Sequence, residues 1–107
     1  MGHKYQNLGQ QNPGAALTAL YTAPVQTVLS KVVVCNTTAG ALTFRIAHAI
    51  AGAADALPQY LYRDQNLAAN TSIEVLQGLT MAATDVLRCF ASGAGVIFNA
   101  YGDQVSS

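Results

Sequence analysis

The chain has 107 residues, of which 51% are hydrophobic and only 9% charged, and five Lys plus Arg balance five Asp plus Glu. That length holds one domain and buries about two thirds of its unfolded surface, enough for one modest core. With no basic excess to neutralise phosphates, nucleic-acid binding is excluded as an expectation. Ordinary soluble domains are roughly 25% charged, so a surface this neutral points to cover by neighbouring chains.

No apolar stretch nears the roughly 18 residues that span a bilayer, and no membrane partner is expected. The opening MGHKYQNLGQQNPG lacks the apolar centre of a signal peptide, and position 6 lacks the Ser or Thr of a myristoylation site. The expectation is a soluble chain made in a cytoplasm. Cys35 and Cys89 are too few for a disulfide framework. Both lie in apolar alternating runs and read as small buried hydrophobes, with one inter-strand disulfide as the alternative.

Residues 1–16 are rich in Gln, Asn and Gly, show no period and contain Pro13-Gly14. They read as an N-terminal arm, disordered or docked on a neighbour, with Tyr5 and Leu8 as its anchors. Residues 17–107 form the β domain. LTALY (17–21) is a short strand ended by Ala23-Pro24, and TVLSKVVVCN (27–36) is a long β-branched strand. Strict alternation puts Val28, Ser30, Val32 and Val34 on one face, and Leu29, Lys31, Val33 and Cys35 on the other. Apolar groups on both faces make this strand central, or covered on its outer side as well. TTAG (37–40) is a turn, and ALTFRIAHA (41–49) points Leu42, Phe44, Ile46 and His48 one way. These two runs read as a β-hairpin.

The Ala/Gly-rich stretch 50–57 fits a loop or one helical turn. Strands follow at 58–64 (Tyr60 and Tyr62 against Leu61 and Arg63) and at 72–77 (Ile73 and Val75 against Glu74). Residues 78–85 reverse the chain. VLRCFAS (86–92), a tight turn at 92–95 and VIFNAY (96–101) read as a second hairpin. About seven to eight short strands with turn residues between them, and no long helix, predict an antiparallel β-sandwich of jelly-roll type. The predicted core holds Leu42, Phe44, Ile46, Val75, Leu87 and Phe98.

Groups for chemistry are sparse. His3 and His48 are the only histidines, and no HxH, HExxH or GxSxG spacing occurs. His48, alone on an apolar face, reads as structural. No Asp or Glu spacing matches a calcium loop. Asp85 opens a strand after a turn, where an Asp accepts backbone hydrogen bonds. No catalytic residue, metal or cofactor is expected. Arg45, Arg63 and Arg88 lie within strands. Either their stems pack along a solvated face, or their guanidinium groups meet carboxylates of an adjacent subunit.

The strings Leu20-Tyr21-Thr22-Ala23-Pro24, Val34-Cys35-Asn36-Thr37, Thr43-Phe44-Arg45-Ile46-Ala47, and the stretch from Ala69 through Gly102 resemble small structural proteins of tailed bacteriophages. The resemblance covers most of residues 17–102. Cys89 stands where that family usually has Val, and residues 1–16 lie outside the match. Such proteins are virion components, either capsid cement or decoration proteins or parts of the tail and baseplate. The resemblance implies a non-enzymatic capsid cement protein that binds the major capsid protein as a homo-oligomer, expected to be a trimer. A tail, baseplate or adaptor part is the alternative. A carbohydrate-binding host-recognition module, for which only Tyr60 and Tyr62 offer a close aromatic pair, is a third reading.

Overall fold

Alternating apolar runs build two facing sheets. In a computed structural model, residues 2–76 and 78–106 are described, with side chains described from residue 6 to residue 104, Gln77 aside. The strands are β1 (Gly2–Gln11), β2 (Thr18–Thr22), β3 (Thr27–Asn36), β4 (Leu42–Ala49), β5 (Tyr60–Leu67), β6 (Thr71–Val75), β7 (Thr80–Met81), β8 (Val86–Ala91) and β9 (Val96–Ser106). One sheet has the order β1-β9-β3-β6, with β7 also on β3; the other has the order β2-β8-β4-β5. All the ladders are antiparallel. This is an antiparallel β-sandwich with the strand order of a jelly roll. The only helical pieces among the described residues are two 3-10 turns, Ile50–Gly52 and Leu57–Gln59.

The core fills the space between the sheets. Phe44, Ile46 and Leu87 from one sheet meet Leu29, Val32, Val34 and Phe98 from the other, all with no exposed surface. Phe44 and Phe98 pack edge to face with their centroids 6.1 Å apart. Val75 is buried as expected, whereas Leu42 is half-buried at the rim.

Three expectations need correction. The runs 27–36 and 41–49 do not pair as a hairpin, nor do 86–92 and 96–101. β3 and β9 lie in one sheet, and β4 and β8 in the other. Asn36 shows why the first connection crosses over. Its buried amide donates to the Gly40 carbonyl at 2.9 Å and the Leu67 carbonyl at 3.2 Å, while its Oδ1 accepts from the Thr38 N–H and hydroxyl. This knot folds residues 37–41 over the end of the sandwich, so the chain changes sheets.

Strict alternation also fails in β3. A bulge between Leu29 and Lys31 lets Leu29 join Val32 and Val34 on the inner face. Finally, residues 2–11 are no separate arm. They form β1, paired along β9 from Gly2↔Ser106 to Gln11↔Phe98. Polar side chains hid this edge strand, because only Leu8 of its described residues packs on the core.

Candidate functional site

At one end of the sandwich the two sheets part, leaving a cleft of about 510 Å³ lined by Gln26, His48, Ile50, Thr80, Ala82 and Asp85, among others. The inward parity of Phe44 and Ile46 carries His48 into it, since His48 lies opposite the buried Leu87. An inward-facing imidazole needs a partner. His48 Nε2 lies 2.8 Å from Asp85 Oδ2, and that carboxylate also accepts the Ala51 N–H at 2.9 Å and the Ala82 N–H at 3.1 Å. The Asp85 carboxyl is held below its ordinary value of 3.8, first by the Ala51 N–H; burial works against this, and His48 and the Ala82 N–H reinforce it. An ionised acceptor requires the proton on Nε2 of His48.

The pair therefore ties the end of β4 and the first 3-10 turn to the turn before β8. Among the described residues no hydroxyl or thiol is hydrogen-bonded to His48. No group of three or more His, Cys, Asp or Glu could hold a metal ion among these residues. Asp85 accepts backbone hydrogen bonds, as its place at a strand start after a turn led one to expect. Its partnership with His48, which spans 37 positions, was not expected. Inward parity of a lone His is the signal that could have found it.

The expected interface residues fall on both sheets. Arg45 grips Asp64 with two hydrogen bonds, at 2.7 and 3.3 Å, and lies 4.7 Å over the Phe90 ring. This holds Asp64 below the usual carboxylate value. Arg63 lies 5.6 Å over the ring of Tyr60. Arg88 donates to the carbonyls of Ala53 and Gly52 at 2.8 and 3.4 Å. All three arginines thus have partners within their own chain, on or beside the β2-β8-β4-β5 sheet. Leu8 is on the other sheet, against the chain's own core. The backbone of Tyr5, in β1, pairs with Asp103 of β9, and the Tyr5 side chain lies outside the described residues.

The thiols do not pair. Both cysteines are free, Cys35 half-buried and Cys89 buried, and burial pushes the Cys89 thiol up to about 12. No helix among the described residues is long and apolar enough to cross a membrane. No family model matches the chain, and no curated protein or solved structure is detectably similar to it.

Proposed function

We propose that this chain is a structural virion protein of a tailed phage, a cement subunit that sits on the major capsid protein as a homo-oligomer, with a trimer at a local three-fold axis as the expected form. The observation that carries this reading is the way the few charges are used. Lys31 pairs with Glu74 at 3.0 Å, Arg45 with Asp64, and His48 with Asp85, while Arg88 is turned onto loop carbonyls. Few charged groups lie outside these pairs, and a surface this poor in charge suits cover by neighbouring copies and a shell. On a repeating lattice, weak single contacts act together and suffice to hold a shell. Double-sheet jelly rolls also build viral capsid and lectin domains, which is support by analogy of fold.

The carbohydrate-binding reading has less behind it. Tyr62 packs on Phe44 with ring centroids 5.9 Å apart, and Tyr60 is half-buried beside Arg63, so neither offers an open stacking platform. The test is the copy number of this chain in purified particles by quantitative mass spectrometry. Hundreds of copies per particle support a cement protein. A few tens or fewer favour the tail or baseplate alternative, and absence from particles overturns both.

A further inference from the structure

We infer that the loop joining β4 to β5 is the surface by which one copy of this chain grips another, with Ile50, Leu57 and Leu61 in the contact and Asp55 of each copy facing Arg63 of its neighbour. This rests on the reading of the chain as a homo-oligomer.

β4 and β5 are antiparallel neighbours, last paired at Ala47↔Tyr60. A turn of two to five residues commonly closes such a pair. Here residues 50–59 intervene, and residues 50–58 are all exposed. Ile50 at 69%, Leu57 at 65% and Leu61 at 44% are the most exposed large apolar side chains among the described residues. Ala51, Ala53, Ala54 and Ala56 add their methyl groups to the same segment.

The loop is nonetheless held in one shape. Asp85 accepts the Ala51 N–H, Arg88 holds the Ala53 and Gly52 carbonyls, and Gln59 Nε2 donates to the Ala54 carbonyl at 2.8 Å. The Ala53 N–H closes on Ile50 and the Gln59 N–H on Ala56. In a chain this poor in charge, Asp85 and Arg88 are both committed to fixing an apolar loop that faces solvent. Several of its backbone groups are thus tied down within the chain while its apolar side chains face solvent, which is the arrangement of a contact surface.

Charge identifies the occupant. The loop carries a single ionisable group, Asp55, whose carboxylate accepts the Tyr60 hydroxyl at 3.1 Å. Arg63 lies over the same tyrosine ring and forms no ion pair within 4.0 Å among the described residues. The patch is therefore neutral overall: Asp55 and Arg63 flank the apolar centre, and Asp64, which feels the Arg63 charge, is itself paired with Arg45. Such a surface complements itself, and it offers nothing to a polyanion or a charged headgroup.

The test is self-association measured by sedimentation and native mass spectrometry, with circular dichroism to confirm folding. Leu57→Asp should weaken association about tenfold or more while the monomer stays folded, because Leu57 is exposed. Asp55→Arg and Arg63→Asp should each weaken it, and the double exchange should restore it. If the wild-type oligomer is unchanged by Leu57→Asp and by both charge reversals, the loop assignment is overturned while the oligomer reading stands. If the wild type is monomeric at every concentration, the oligomer reading itself fails. If the variants keep the oligomer but lose particle binding, the occupant is another protein, and the second-copy assignment is overturned.

Discussion

The imidazole of His48 lies 2.8 Å from the carboxylate of Asp85, joining the end of β4 to the turn before β8 across 37 positions of sequence. Asp85 is 4% exposed, so a change there leaves buried N–H groups without an acceptor. Asp85→Ala should cost about 2–3 kcal/mol, and His48→Ala, which removes one donor of three, about 1 kcal/mol. Differential scanning calorimetry checks both. At roughly 4–8 °C per kcal/mol for a domain of this size, the two melting shifts are readily separated.

Acid should expose the same carboxylate. The Asp85 carboxyl is depressed below 3.8 in the folded chain. The unfolded chain therefore binds the proton first, and stability falls as pH drops through the lowered value. The stabilisation is fully present above the unfolded value of 3.8. Melting temperature followed from pH 6 to pH 2 should fall on the acid side, and Asp85→Asn should flatten that fall. An identical acid limb in the variant would show that Asp85 does not supply it.

Phe44 has no exposed surface and touches rings from both sides of the core, at 5.9 Å from Tyr62 and 6.1 Å from Phe98. Phe44→Ala should cost roughly 3–5 kcal/mol in urea unfolding. A loss below 1 kcal/mol, about what a surface site gives, would place Phe44 outside the core.

Gly9 marks where β1 closes on β2: a Cβ there would run into the Leu20 carbonyl oxygen, whereas a Cβ on Gly40 meets nothing within 4 Å. Gly9→Ala should lower the melting temperature clearly, and Gly40→Ala should not. Equal melting of the two variants would mean that β1 is not packed on the domain in solution.

Thr84 sits at φ 74° in the turn closed by the Asp85 N–H on the Ala82 carbonyl. A β-branched residue is strained in that region, and glycine is not. Thr84→Gly should gain about 0.5–1 kcal/mol after the added freedom of the unfolded chain is counted. A destabilised variant would contradict this.

The fold class was legible because burial follows parity. Phe44 and Ile46, Leu87 and Cys89, and Val96 and Phe98 alternate cleanly and all face inward. Pairing was not legible. β3 and β4 look like a hairpin in sequence, yet they lie in different sheets, and the buried Asn36 that holds the crossover draws on Leu67, 31 positions away. The bulge at Leu29 and the polar strand β1 were hidden for a related reason: backbone hydrogen bonds from β9 set both, and side-chain pattern does not record them. The arginines were visible as charges within strands, but their partners Asp64, Tyr60 and the Ala53 carbonyl emerge only from the folded sheet.

Electron microscopy of intact particles that carry this chain tests the cement reading most directly. The predicted result is trimeric density, fitted by this jelly roll, on the outer capsid surface at local three-fold axes, with the β4–β5 loops between copies. Density for the chain in the tail alone, or none in the particle, would contradict it.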